Sequence, residues 1–366
     1  MAEAIASILS HLEAWAPLAY QEDYDNCGLI TGNPSWPVTG ILVSLDCTEA
    51  VVEEARQQGS NLIVAHHPIV FRALKKITGK TYGERAVLQA IKHDIALYAI
   101  HTNLDHIHTG VNKKIADRLG LQNARILQPN TRSLSKLVTF IPNDQAAQVM
   151  AALYAAGAGA VGRYAECSFQ VQGVGTFTPS AQANPAIGQR GVAERVNETR
   201  AEVIFPSHLS HRVMAALRAA HPYEEVAYYL TELKNENQEV GAGMIGELAA
   251  PEEPFAFLRR LKNVMQTGCV RHTAVVGTEV RKVAVCGGAG SFLLPAAIAQ
   301  GADVFISADF KYHEFFDAEG KITVADIGHY ESEQFTKDLL VEVLSKKFPT
   351  FAVNFSKTVT NPISYL

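Results

Sequence analysis

Cysteine is scarce in this 366-residue chain and poorly arranged for bridging: five residues, at 27, 47, 167, 269 and 286, with no Cys-x-x-Cys pair. An odd, scattered set argues against a disulfide framework or a zinc ribbon and fits a reducing compartment. Positive charge is not in excess. Thirty-two Lys and Arg stand against 37 Asp and Glu, a net charge of −5, and basic and aromatic residues are not interleaved in a stripe, so nucleic-acid binding is weakly motivated. Long, bulky apolar runs are missing as well. The uncharged stretch 145–162 is mostly Ala and Gly, and 283–302 is broken by Gly287, Gly288, Gly290 and Pro295, so neither has the character of a membrane span. The start, MAEAIASILSHLEAW, lacks a basic n-region and reads as an amphipathic helix rather than a signal peptide. No Gly-x-Ser-x-Gly elbow or cysteine–histidine pairing supports covalent catalysis. The expectation is a soluble, cytoplasmic protein without a membrane partner.

What is present is ordinary globular material, 48% hydrophobic and 19% charged, long enough for two to three domains. Internal similarity organises it. Gln58-Gly-Ser-Asn-Leu-Ile-Val-Ala-His-His67 resembles Gln300-Gly-Ala-Asp-Val-Phe-Ile-Ser-Ala-Asp309. Each is preceded by a strand-like run (ILVSLD, 41–46; KVAVCGG, 282–288) and followed by another (ALYAIHTNLD, 96–105; KITVADIGHY, 321–330). This alternation predicts an α/β domain with largely parallel strands, made of two similar halves. Between them Val149-Met-Ala-Ala-Leu153 recurs as Val213-Met-Ala-Ala-Leu217. Apolar runs at 137–142 and 202–206 precede the two copies, and runs at 164–171 and 226–233 follow them. Twice β-α-β predicts a ferredoxin-like insert, its halves joined by a loop at 173–191. The expected layout is therefore 1–128, first half; 129–236, insert; 237–366, second half.

Several polar residues fall where strands should end, the usual place for a site in an open α/β sheet. His66 and His67 follow LIVA, and Pro68 forces an extended exit. An isolated His-His pair is more simply two half-buried side chains with a hydrogen bond each. This pair has company: His101-Thr-Asn-Leu-Asp105 after the next run, and Asp326-Ile-Gly-His-Tyr-Glu-Ser-Glu333 at the matching place in the second half. His329 and Glu333, four apart at the start of a predicted helix 331–347, can share one face. His66, His67, Asp105, His329 and Glu333 form a mixed nitrogen and oxygen set that suits zinc, manganese or iron rather than calcium. Five ligands exceed what one catalytic zinc takes, so a two-metal site that activates water is the economical reading. Gly287-Gly-Ala-Gly290 reads equally as a tight turn or an anion-binding turn. Asp309, Lys311, Tyr312 and His313 follow the other strand end as supporting groups or ordinary loop residues.

In order along the chain, Asp25-Asn-Cys-Gly-Leu29, Ala65-His-His-Pro68, His101-Thr-Asn-Leu-Asp105, His221-Pro-Tyr-Glu-Glu225, Gly287-Gly-Ala-Gly290 and Asp326-Ile-Gly-His-Tyr-Glu-Ser-Glu333 resemble the motifs of the GTP cyclohydrolase I type 2 homologue family. The family is also named for an interacting factor of a yeast transcriptional adaptor. The resemblance spans essentially the whole chain and includes the long bacterial form, whose insert is similar to the PII and CutA trimer-forming fold. It implies two divalent metal ions per subunit, zinc first with manganese or iron as alternatives, on His66, His67, Asp105, His329 and Glu333. It also implies a toroidal homohexamer. The implied activity is a metal-dependent hydrolase acting on a nucleotide or phosphorylated small molecule, with GTP ring opening the named candidate. His101 or His313 would then transfer the proton, since imidazole titrates at ~6.5. The competing expectation is a non-catalytic metal-binding ring whose insert senses a small molecule or recruits a partner.

Overall fold

The computed structural model describes residues 3–366. The chain forms two compact units, one running up to Pro129 and resuming at Gln238, the other Asn130–Asn237. The first unit contains two sheets. One has the strand order Gly28–Thr31, Ala96–Ala99, Leu62–Ala65, Ile41–Ser44, Val353–Phe355. Its last four strands are parallel, and Gly28–Thr31 pairs antiparallel at the edge. The other has the order Arg271–His272, Thr323–Asp326, Val304–Ala308, Val280–Ala289, Asn237–Glu252, Gln122–Asn130. Here Val280–Ala289, Val304–Ala308 and Thr323–Asp326 run parallel.

Burial explains why these strands read as continuous apolar runs instead of alternating ones. Ile41–Ser44, Leu62–Ala65, Ala96–Ala99, Val304–Ala308 and Thr323–Asp326 are buried at every position, as parallel sheets covered on both faces must be. One face of both sheets, including Ile41, Val43, Leu62, Val64, Val283, Val304 and Ile306, joins a shared core with the helices Ile5–Trp15, Val111–Arg118 and Thr336–Lys347. Leu42, Ile63 and Leu97 on the opposite face of the first sheet pack under Glu49–Gln58 and Tyr82–Lys92. Thr48 and Thr81 cap those two helices, accepting from Val51 N and Glu84 N, so each helix starts where the connecting loop ends. Among the described residues no helix is long and apolar enough to cross a membrane, and all five cysteines are free.

The second unit is one antiparallel sheet, ordered Phe169–Phe177, Glu194–Pro206, Leu134–Pro142, Tyr228–Leu233. The helices Ala146–Ala155 and Ser210–Ala220 cover one of its faces. The repeated Val-Met-Ala-Ala-Leu supplies the matching buried triplets Val149, Met150, Leu153 and Val213, Met214, Leu217, which meet Leu137, Ile141, Val203 and Phe205.

Three local readings differ from the structure. The run 164–171 becomes strand only from Phe169 and continues to Phe177 through Gly173 and Gly175. A turn joins Val161 to Tyr164 and Glu166 has φ of 57°, which holds the first residues off the ladder. The strand within 96–105 ends at Ala99, and Thr102–His106 is a one-turn helix that carries Asp105. The helix expected at 331–347 is two, His329–Glu333 and Thr336–Lys347. The continuous helical periodicity hides a break at Gln334 and Phe335.

Candidate metal centre

All five residues singled out as ligands converge within the first unit, and each imidazole is oriented by the same device. The fully buried His66 donates from Nδ1 to the carbonyl of Ile100 at 2.8 Å. His67 Nδ1 donates to Asp46 Oδ1 at 2.8 Å, and His329 Nδ1 to Asp309 Oδ2 at 2.8 Å. With Nδ1 engaged, Nε2 of each ring is the free ligand atom, and a carboxylate or carbonyl behind a histidine fixes its tautomer and raises its basicity. The three Nε2 atoms surround Glu333. Its Oε2 lies 2.9 Å from His67 Nε2 and 3.1 Å from His329 Nε2, while its Oε1 is 3.8 Å from His66 Nε2. His66 Nε2 is 3.6 Å from Asp105 Oδ1, and both of these atoms are buried without a hydrogen-bond partner.

That pairing of orphans has a physical meaning. A buried polar atom without a partner is costly, and two such acceptors facing one another ask for a cation between them. The cluster resolves into three sets whose ligand atoms lie within 4.8 Å of one another: His66, Asp105 and Glu333; His67, His329 and Glu333; and His66, His67 and His101. Glu333 belongs to two of them, as a carboxylate shared between two ions would. The donor set thus fits divalent metal, and the cluster can hold it.

The electrostatics agree. Burial and the charge of Glu333 push Asp105 up to about 7. Glu333 itself, although burial opposes its charge, is held well below the usual carboxylate range by His329 and His67. The Glu333 carboxylate raises His329 to about 11, and against the burial of its ring Asp46 and Glu333 raise His67 to about 9. Without metal, protons on the imidazoles balance the carboxylates, so an arriving cation must displace them.

His101 and His313 separate. The His101 ring lies 5.3 Å from both His66 and His67, and its Nδ1 donates to Asp25 Oδ1 at 2.9 Å. Asp25 is ionised despite burial because His101 and Thr102 both donate to it. His313 is exposed in the turn Tyr312–Ala318, with its ring against Tyr312 and Phe316. It belongs to none of the three sets.

Residues that sequence patterns left without a role include Asp25 and Asp46, which stand 76 and 21 positions from the histidines they orient. Asp46 closes a strand-like run and Asp25 opens a glycine-bearing motif, each a weak signal on its own. Asp309 carries a stronger mark in the structure, φ of 56° at the end of its strand, a conformation that L residues avoid outside functional or tightly built places. Gly287-Gly-Ala-Gly290 is explained by the centre. Gly287 N donates to Asn112 Oδ1 and Gly288 N to Ser332 Oγ, both at 2.9 Å, so these amides serve the fold instead of an anion. Gly288 has φ of 59°, and a Cβ there would come within 2.5 Å of Glu333 Oε1.

Comparison with known proteins finds relatives over the whole length of the chain. A model of the family described as Duf34/NIF3 (NGG1p interacting factor 3) matches residues 4–362. Relatives from Halalkalibacterium halodurans and Bacillus subtilis, each named GTP cyclohydrolase 1 type 2 homolog, are 38% identical, with 98% of this chain and 98% of theirs aligned. A crystal structure of a Bacillus cereus protein related to NIF3 superposes over 100% of both chains, at 36% identity and a TM-score of 0.86. One from Staphylococcus aureus covers 100% of this chain and 99% of its own, at 28% identity and a TM-score of 0.80.

Proposed function

Because this chain belongs to the Duf34/NIF3 (NGG1p interacting factor 3) family, we propose that the cluster holds two divalent metal ions, zinc first, and works as a hydrolase on a nucleotide or phosphorylated small molecule. The observation that carries this is the pair of buried, unpartnered atoms, His66 Nε2 and Asp105 Oδ1, beside a carboxylate common to two ligand sets. His66, His67, Asp105, His329 and Glu333 are the ligands. Such ions supply Lewis acidity and lower the pKa of water. Asp46, Asp309 and the Ile100 carbonyl keep three rings in register, and the full burial of His66 keeps bulk water from competing for its ring. His101 is assigned the proton transfer in preference to His313, because it stands beside His66 and His67 with its tautomer set by Asp25.

GTP is the first substrate to test, on the strength of the relatives' shared name. Metal-loaded protein and its Glu333→Ala variant, matched for oligomeric state, are mixed with GTP and the products weighed by mass spectrometry. A ring-opened or dephosphorylated product formed by the unmodified protein alone supports the hydrolase. GTP unchanged in both removes it as the substrate.

The same reading extends to architecture. The parallel strands Ile41–Ser44, Leu62–Ala65 and Ala96–Ala99 of one sheet and Val280–Ala289, Val304–Ala308 and Thr323–Asp326 of the other are taken as the two similar halves of the first unit, and the strand order and paired helices of the second unit as a ferredoxin-like fold. Assembly into a homohexameric ring would cover exposed Phe292, Tyr312 and Phe316, apolar surface that a lone subunit leaves in water. Light scattering decides that point: a monomer at micromolar concentration rejects the ring.

A further inference from the structure

A cavity lies in the second unit, and none of the candidate ligands lines it. It has a volume of about 660 Å³, within the range of small-molecule sites. Residues of the strand Phe169–Phe177, of the loop 178–187 and, from the motif His221-Pro-Tyr-Glu-Glu225, Tyr223, Glu224 and Glu225 line it. Its walls are mostly apolar, with Phe140, Val171, Phe177 and Ile187 among them. Three carboxylates, Glu198, Glu224 and Glu225, line it together with Arg200.

The polar end is built, not incidental. Glu198 is 8% exposed, and its Oε1 accepts the Tyr223 hydroxyl at 2.9 Å. His221 in turn sets Tyr223: its Nε2 donates to the Phe140 carbonyl at 2.9 Å and its Nδ1 accepts from Tyr223 N at 3.1 Å. Gly175 makes room for the carboxylate, since a Cβ there would lie 2.0 Å from Glu198 Oε2. Glu224 Oε1 accepts from Asn184 N at 2.8 Å and ties the loop over the cavity. Arg200 does not cancel these charges, because its guanidinium is paired with Glu202 at 2.9 Å.

We infer that this cavity is a binding site for a small organic cation, an amine carried on a flat apolar or aromatic body, with Glu198 as its counter-charge. A buried carboxylate favours a partner that brings a positive charge and N–H donors. The Phe140, Phe177 and Tyr223 rings suit a flat body and attract a cation over their faces. The motif at 221–225, which the metal centre does not use, thus has a task of its own. The site is independent of the hydrolase proposal.

The test uses the full chain and three probes that share one ring system: tryptamine, its neutral alcohol tryptophol and the anion indole-3-acetate. Binding is followed by calorimetry and by chemical-shift changes in isotope-labelled protein. Tryptamine is expected to bind saturably and to shift resonances of residues 171–187 and 221–227. Loss of one charge-assisted hydrogen bond predicts about tenfold weaker binding in Glu198→Gln. Gly175→Ala, which crowds the carboxylate without removing it, should weaken tryptamine as well, and thermal melting of each variant establishes that it is folded. No saturable tryptamine binding, equal affinity for the anion, or full affinity in a folded Glu198→Gln protein would each overturn the inference.

Discussion

On the proposed reading protons and metal compete for the same atoms in the centre, and a single carboxyl sets where the balance tips. Asp105, pushed up to about 7 by burial and Glu333, is largely protonated below that pH and cannot then act as a ligand. His67 and His329, raised to about 9 and about 11, must also shed protons. Metal affinity is therefore expected to rise with pH through neutrality, with net proton release on binding. Calorimetry in two buffers of different ionisation enthalpy measures that release; identical heats in both would contradict it. The groups behind the ligands carry a second prediction. Asp46 Oδ1 holds His67 while its Oδ2 accepts from Thr360 Oγ1 at 2.5 Å, so Asp46→Asn should weaken metal binding by roughly 10–100-fold. Chelator competition reads this directly. The clustering of the candidate ligands was legible from sequence, since His, Asp and Glu at several strand ends rarely gather by chance. Their orienting partners were not, because nothing local links Asp46 to His67 or Asp25 to His101.

Short elements do the positioning. The helix His329–Glu333 has only one turn, too little for stability by itself, yet it places His329 and Glu333 one above the other. It is held from outside by Gly288, where the strand end comes close enough to touch the Glu333 carboxylate. Gly288→Ala is expected to displace Glu333, cost about 1–3 kcal/mol of metal-free stability and reduce bound metal at least tenfold. Thermal melting and metal analysis test the two effects separately, and a fully loaded variant would show that the close approach is dispensable. The element level is also where sequence reading was least sharp. Apolar spacing continues smoothly through Gln334 and Phe335, so the break between two helices leaves no trace in the pattern. Glycine at 173 and 175 suggests a loop, but both sit within a strand, and Gly175 is there because of the Glu198 side chain on the neighbouring strand.

At the scale of the whole molecule, sequence similarity between the outer segments was enough to anticipate parallel α/β layers, because buried parallel strands leave unmistakable apolar runs. The shared core beneath the two sheets was not visible, since its contacts join residues far apart in the chain. Excision offers a test at this scale. None of the ligand candidates lies in Asn130–Asn237, and the strands that flank it, Gln122–Asn130 and Asn237–Glu252, are neighbours in one sheet. Replacing the unit by a short turn should leave metal content unchanged and abolish tryptamine binding. Loss of metal would show that the centre depends on the excised unit.

His67 and Glu333 meet across a sequence separation of 266 positions, which gives the centre a birth date. At ribosomal speeds a chain needs roughly 15–50 s to cover that distance, and throughout it the His66-His67 pair exists without its carboxylate. The complete candidate ligand set exists only once Glu333 has been made. Until then the nascent first segment presents two adjacent imidazoles to whichever cation the cell leaves unguarded.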